Sequence, residues 1–315
     1  MQQPPLLVLT GPTAVGKTKL SISLAKAVNG EIISADSMQV YRYMNIGSAK
    51  ITKEEMDGVP HHLIDVLLPE EEFHIVRFQE MAKAAMEEIY QRGHIPILTG
   101  GTGFYIQAVT RDIDFTATHG DESYRNELEA LAASEGPQCL HDMLLAVDPA
   151  SAAEIHANNV KRVIRALEFY HENGQPISRH NQEQRQKESP YRLAYFVLND
   201  ERSRLYSRID QRVDQMMEQG LLEEVRTLQQ MGYTREMVSM QGLGYKEILA
   251  YLEGEYSLEE AVRILKRDTR HFAKRQITWF KREPDAIWLN KADYGYQEDA
   301  ILHAMLNICK ERGIL

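Results

Sequence analysis

Cysteine is almost missing from this chain. Cys139 and Cys309 are the only two in 315 residues, so a disulfide framework cannot organise the fold, and reduced cytosolic thiols are the default. Long apolar runs are missing as well. The longest, such as Pro5–Leu9 and Ile95–Leu98, fall far short of the roughly 20 residues a membrane-spanning helix needs. The first residues lack the basic-then-apolar layout of a secretion signal, and their apolar run leads directly into a glycine-containing loop. A cytoplasmic protein that does not touch membranes is the expectation. Internal repeats and low-complexity tracts are absent too. What remains is ordinary globular sequence, 43% hydrophobic, long enough for two domains or one enlarged one.

Net positive charge is also lacking: the formal balance is −10, which at first argues against a nucleic-acid partner. The charge is uneven, however. Between Arg263 and Arg282 eight basic residues face one acid, Asp268. Between Lys161 and Lys187 six basic residues (Lys161, Arg162, Arg165, Arg179, Arg185, Lys187) face Glu168, Glu172 and Glu183. An acidic body with two basic stretches can steer a polyanion to one face, although two solvated helix faces would give the same pattern.

The pattern of elements is informative. Pro5–Leu9 reads as a buried strand that stops at Gly11 and Pro12, and a helix follows from about Gly16 to Val28. Glu31–Ser34 reads as a second strand, Phe73–Gln91 as a helix and Ile95–Leu98 as a third strand. This alternation predicts an α/β fold, a parallel sheet flanked by helices. From about residue 116 to 188 nothing resembles a strand. Helical stretches dominate there (Glu122–Ser134, Cys139–Val147, Val160–Glu172) before Tyr191–Leu198 turns strand-like again. The simplest account is an all-helical insertion, 116–188, in a core made of 1–115 and 189–315. Helices Arg202–Gln219, Leu221–Met231 and Ser257–Lys281 and a short strand, Ala286–Leu289, complete the core.

Gly11-Pro12-Thr13-Ala14-Val15-Gly16-Lys17-Thr18 matches G-x-x-x-x-G-K-[ST] between a strand and a helix, the context a phosphate-binding P-loop requires. The glycines let backbone N–H groups converge on phosphate oxygens, the helix terminus and Lys17 add positive potential, and Thr18 offers a hydroxyl to Mg²⁺. Read alone, this loop suggests a nucleoside triphosphate such as ATP. Asp36 follows the second strand, at the edge where open α/β sheets build sites. It could hold a metal, act as a general base or cap a helix. Gln39 is a side chain able to read an adenine edge. Gly100-Gly101-Thr102-Gly103 ends the third strand on the same edge, though such a turn is a weak signal alone. His61, His62 and His74 lack a completing ligand pattern and read as structural; Asp65 could orient water or Mg²⁺. In the helix 257–281, Leu258, Val262, Leu265, Phe272 and Trp279 should face the core. Arg263, Arg267, Arg270 and Lys274 form a ridge whose repulsion a bound polyanion would offset.

With these residues in view, the chain resembles the isopentenyl-tRNA transferase family, the tRNA dimethylallyltransferases of bacteria. GPTAVGKT (11–18), SADSMQVYR (34–42), GSAK (47–50), HHLIDV (61–66) and GGTGFYI (100–106) carry the likeness. KRVIRALE (161–168), RIDQRVDQM (208–216), QGLGYKE (241–247) and TRHFAKRQITWFKR (269–282) continue it across nearly the whole length. A Cys/His pair for the zinc finger of longer eukaryotic relatives is not seen.

The resemblance implies transfer of a dimethylallyl group from dimethylallyl diphosphate to N6 of adenosine 37, beside the tRNA anticodon. It implies that Gly11–Thr18 cradles the diphosphate and that Thr18 helps place Mg²⁺. Asp36 would take the N6 proton, while Ser37, Met38 and Gln39 would line the flipped adenine. Thr102 would sit beside the reacting groups and Arg208 on the diphosphate. Lys161, Arg162, Val163, Ile164 and Arg165 would touch the tRNA, with Arg125 a looser addition. A monomer is the mild preference. From spacing alone three other readings stay open: a P-loop kinase of a small metabolite, an adenylate dimethylallyltransferase acting on free nucleotide, and a non-catalytic RNA-binding NTPase switch.

Overall fold

The computed structural model describes residues 3–115 and 122–315. The chain divides into two compact units, Met1–Thr110 with Pro190–Leu315, and Arg111–Ser189. The first residues of the helical stretch as read from the sequence, 116–121, lie outside the described residues. The unit boundary itself falls directly after a helix that ends at Thr110.

The larger unit begins with β1 (Pro5–Thr10), α1 (Lys17–Val28), β2 (Gly30–Ser34) and β3 (His61–His62). α2 (Ile75–Gln91), β4 (Ile95–Gly100) and α3 (Gly103–Thr110) follow. The smaller unit holds α4 (Glu122–Glu135), α5 (Pro137–Val147), α6 (Pro149–Glu154), α7 (Val160–Asn173) and α8 (Ile177–Gln186). The chain then returns to the larger unit with β5 (Arg192–Asn199), α9 (Arg202–Glu218), α10 (Leu221–Gln230) and α11 (Tyr245–Leu252). α12 (Leu258–Phe280), β6 (Ala286–Asn290) and α13 (Glu298–Glu311) end it.

All six strands are parallel, in the order β3-β2-β4-β1-β5-β6. The central strands are buried on both sides, which explains their unbroken apolar runs. Because side chains alternate along a strand, Leu6, Val8, Ile33 and Leu98 enter one core layer with α2, α3, α10, α11 and part of α12. Leu7, Leu9, Ile32 and Ile97 enter the opposite layer with α1 and α13.

At the start of β2 the buried Glu31 carboxylate receives Arg92 through two hydrogen bonds of 2.9 Å, and His62 and His94 at 2.7 and 2.6 Å. The Arg92 hydrogen bonds, helped by the two histidines, hold its pKa down at about 2 against the opposing effect of burial.

The smaller unit has its own core of Leu128, Leu140, Leu144, Val163, Ile164, Leu167 and Phe169. Buried Asp148 joins its helices by accepting from the backbone N–H and hydroxyl of both Ser151 and Ser178.

Several elements differ from the sequence reading. β3 has only two residues, too few for any periodicity to register. α3, α6, α8, α11 and α13 have no counterpart in the sequence reading, although Ile301, Met305 and Cys309 of α13 recur every four residues and are fully buried. In α12 the buried face is Ala261, Leu265, Ala273, Gln276 and Phe280. The larger apolar residues Leu258, Val262 and Trp279 flank it only partly buried. Phe272, also expected in the core, is half-buried and lines the cavity at the sheet's carboxyl edge.

Candidate active site

The ends of β1, β2 and β4 open into one cavity of about 800 Å³. Thr13, Lys17, Thr18, Asp36, Met38, Gln39, Thr102, Arg208, Arg212 and Gln276 are on its wall. This is the carboxyl edge of a parallel sheet, where strand ends diverge into loops.

Backbone geometry shapes the loop after β1. Gly11 has φ +144°, and a Cβ there would lie 2.2 Å from the Leu198 carbonyl oxygen, so only glycine fits. Ala14 and Gly16 also have positive φ, 61° and 100°. Lys17 Nζ donates to the Gly11 and Pro12 carbonyls at 2.9 Å each, curling the loop around its own ammonium. Burial among protein atoms, and next the nearby Arg212 cation, lower its pKa to about 8, with Asp36 opposing. Arg208 approaches Val15 O and Asp200 Oδ2 at 3.5 Å, and the buried Lys291 reaches Val15 O at 3.4 Å. Arg212, one helical turn beyond Arg208, is pushed below its usual pKa mainly by burial. Four cations therefore gather at one loop, a costly arrangement that a bound polyanion relieves.

Across the cavity Asp36 Oδ1 accepts from the Met38 and Gln39 N–H groups at 2.8 and 3.4 Å. The residues after Asp36 form a turn and not a helix, so its carboxylate closes that turn instead of capping a helix. One oxygen fixes the turn, and Oδ2 has no hydrogen-bond partner among the described residues. Gln39 differs from a free base reader. Its Oε1 accepts from Ser34 Oγ at 3.2 Å, and its Nε2 is directed at the Ser48 and Ala49 carbonyls at 3.5 and 3.3 Å, so it braces the following loop. Thr102 immediately precedes α3, accepting at its carbonyl from the Tyr105 and Ile106 N–H groups, while its own N–H meets the Ala35 carbonyl at 3.2 Å. Ser37 and Met38 line the cavity.

Other candidates are placed differently. In the helical unit Lys161, Arg162 and Arg165 are exposed along α7. Val163 and Ile164, by contrast, are buried in that unit's core, so their side chains position the helix and do not face solvent. Arg125 is held by buried Glu168 in a two-pronged ion pair at 2.8 and 2.9 Å, which gives it a structural role within the unit.

The three histidines have three separate duties: His61 Nδ1 meets Val59 O, His62 meets Glu31, and His74 caps α2. Asp65 does not line the cavity; it pairs with Lys50 at 2.5 Å. The basic ridge of α12 is also mostly compensated: Arg263 by Glu260, Arg267 by Asp268, and Arg270 by Asp210. Neutralising acids on α9 and α12 itself, invisible to a count along one face, answer the repulsion. Lys274, Arg275 and Arg282 keep no ion pair among the described residues and form, with His271 and Trp279, a separate shallow basic groove.

Sequence reasoning missed Gln276. Its buried amide accepts from Thr13 N–H at 2.9 Å and donates to Gly101 O at 2.9 Å, tying the β1 loop to the β4 loop. A Cβ at Gly101 would lie 2.1 Å from Gln276 Nε2, which explains a glycine there. Lys291 and Arg212 were missed as well, since both reach the loop from elements far along the chain.

Comparison with known proteins gives a consistent set of matches. The family model described as IPP transferase matches residues 39–283. A curated tRNA dimethylallyltransferase from Lachnoclostridium phytofermentans is 62% identical over 311 residues, covering 99% of each chain. The solved full-length tRNA isopentenylpyrophosphate transferase of Bacillus halodurans is similar with a TM-score of 0.74 at 47% identity, covering 98% of both chains. A eukaryotic dimethylallyltransferase solved acting on tRNA is similar with a TM-score of 0.77 at 32% identity, over 91% of this chain and 74% of that one.

Proposed function

The chain belongs to the IPP transferase family, and we propose that it transfers a dimethylallyl group from dimethylallyl diphosphate to N6 of adenosine 37 of tRNA, releasing diphosphate. The observation that carries this reading is one cavity with two unlike walls: a cation-lined loop on one side and, on the other, the Asp36 carboxylate, one of whose oxygens is uncommitted among the described residues. The names of the relatives agree with it.

The chemistry follows from the walls. An exocyclic amine is a poor nucleophile, and breaking the allylic carbon–oxygen bond leaves heavy negative charge on diphosphate. Lys17, Arg208, Arg212 and the loop N–H groups stabilise that charge as it develops. Asp36 accepts the N6 proton as the new carbon–nitrogen bond forms. A base in a single-stranded anticodon loop can leave its stack at small cost and enter the cavity. Lys161, Arg162 and Arg165 contact tRNA phosphates. Arg125 supports them by fixing α7 through Glu168, and Val163 and Ile164 hold the helix in place.

No group of three or more His, Cys, Asp or Glu side chains able to hold a metal occurs among the described residues. Mg²⁺ does not require such a group, since it keeps several waters and is commonly bound through substrate phosphates with one or two protein oxygens. Thr18, exposed on the cavity wall, offers such an oxygen. When bound, the ion adds positive charge at the diphosphate oxygens. No helix is long and apolar enough to cross a membrane among the described residues; a cytoplasmic monomer remains part of the proposal.

The test is to incubate purified protein with dimethylallyl diphosphate, Mg²⁺ and unmodified tRNA and to analyse nucleosides by mass spectrometry. N6-dimethylallyladenosine next to the anticodon is expected. Phosphate transfer from ATP to a metabolite, with tRNA unchanged, would overturn the reading in favour of a kinase; prenylation of free adenylate alone would favour the nucleotide-specific alternative.

A further inference from the structure

The wall that carries Asp36 and Gln39 rests on a loop, 45–50, that has little regular structure to hold it. Its support comes from far along the chain. Glu224, in the first turn of α10, accepts from the N–H groups of Asn45 at 2.9 Å, Ile46 at 2.8 Å and Gly47 at 3.1 Å. Three successive backbone donors converging on one carboxylate form an anion nest, filled here by the protein's own side chain.

Tyr245, fully buried at the start of α11, extends the network. Its hydroxyl donates to Glu224 Oε1 at 2.8 Å and accepts from the Ser48 N–H at 3.2 Å. Gly47 packs so closely on the Tyr245 ring that a Cβ would lie 2.6 Å from it. Held in this way, the loop turns the Ser48 and Ala49 carbonyls toward Gln39 Nε2. The chain of contacts therefore runs from Glu224 through residues 45–48 to Gln39, which lines the cavity beside Asp36.

We infer that Glu224, with Tyr245, is a positioning residue for the acceptor base: it sets the shape of the wall against which the nucleobase lies and leaves the diphosphate side untouched. This rests on the proposed transfer to tRNA. The separation is structural, since Lys17 and Arg208 owe their placement to Gly11, Pro12, Val15 and Asp200 and make no hydrogen bond to the 45–50 loop among the described residues. A carboxylate accepting four hydrogen bonds is also difficult to replace. Glutamine in its place turns N–H donors toward backbone N–H groups.

The test uses Glu224→Gln and, as the milder change, Tyr245→Phe in the full chain. It compares kcat/KM for an unmodified anticodon stem-loop RNA with the Kd for inorganic diphosphate in the presence of Mg²⁺. Glu224→Gln should lower kcat/KM for the RNA by ~10–100-fold, the range expected for losing hydrogen bonds to a charged group. Tyr245→Phe should lower it by roughly threefold to tenfold. Diphosphate affinity should stay within about twofold of wild type in both, since equal affinity means no coupling to that side. Amide hydrogen exchange should quicken at 45–48 while the rest of α10 stays protected.

Equal losses for RNA and diphosphate in both variants would overturn the inference in favour of a general structural role. Unchanged RNA kinetics in both would overturn it outright. If Glu224→Gln fails to fold, the Tyr245→Phe split decides. Failure of the wild-type protein to prenylate the RNA would refute the underlying reading; a wild-type protein that prenylates and variants without the split refute this inference alone.

Discussion

The two walls of the cavity are built by different means. The frame of the phosphate side is made of consecutive residues: Gly11 to Thr18 close on themselves, with Lys17 bonded to carbonyls only five and six positions away. Arg208, Arg212 and Lys291 join that frame from far along the chain. The acceptor side is made of strangers. Glu224 and Tyr245 hold residues 45–48 across 177 to 197 positions of sequence. A local wall can be encoded in a short motif, whereas an assembled wall exists only once the helices after β5 have packed. The first is specified by backbone conformation, the second by side-chain hydrogen bonds.

That difference also explains what the sequence disclosed. The strand–loop–helix context of Gly11–Thr18, the position of Asp36 at a strand end and the α/β architecture were readable because each depends on neighbours a few residues apart. The helical character of the insertion was readable for the same reason. Gln276, Arg212, Lys291 and Glu224 were not, since nothing in their immediate sequence marks them and their roles arise from long-range packing. The α12 ridge misled in the opposite direction: Arg270 looks like a free cation in sequence, yet Asp210, 60 positions earlier, sits 2.5 Å from it. Val163 and Ile164 share the KRVIRALE motif with the basic residues, yet their side chains are buried in the helical unit's core. The helix turns them inward while Lys161, Arg162 and Arg165 stay exposed, as a 3.6-residue period requires.

The comparison breaks most sharply at the residues that do the chemistry. Asp36→Asn keeps an oxygen for the Met38 and Gln39 N–H groups but cannot take a proton. Single-turnover rates should fall by ~10²–10⁴-fold, with the stem-loop Kd nearly unchanged; a preserved rate would remove the general-base role. On the phosphate wall Lys17→Ala should reduce kcat/KM for dimethylallyl diphosphate by ~10²–10³-fold through loss of charge stabilisation. Stem-loop affinity should change little, which makes the pair of variants a mirror-image test of the two walls.

Gln276→Ala probes where the walls meet. It leaves the Thr13 N–H and the Gly101 carbonyl without their partner and frees two loops to move independently. A loss of about tenfold in kcat is expected, with no selectivity between substrates, because Gln276 serves both loop ends. A selective effect on either substrate would show that the bridge belongs to one side.

The smallest effect, and the most specific, is in pH dependence. The folded pKa of Lys17 is lowered from 10.5 to about 8, so its cation is present below about pH 8 and lost above it. Without competing changes, kcat/KM for the diphosphate donor should decline as pH rises through about 8, by at most ~tenfold per unit for a single proton. Stability should move the other way. The unfolded chain binds this proton more tightly than the folded one, so between about pH 8 and 10.5 the contribution of Lys17 to folding becomes more favourable as pH rises. Activity and stability thus diverge across one window. Lys17→Met should remove both trends, the first in donor kinetics and the second in chemical denaturation measured at pH 8 and pH 10. An unaltered pH profile in that variant would assign the decline to another group and leave the lysine's charge constant through the working range.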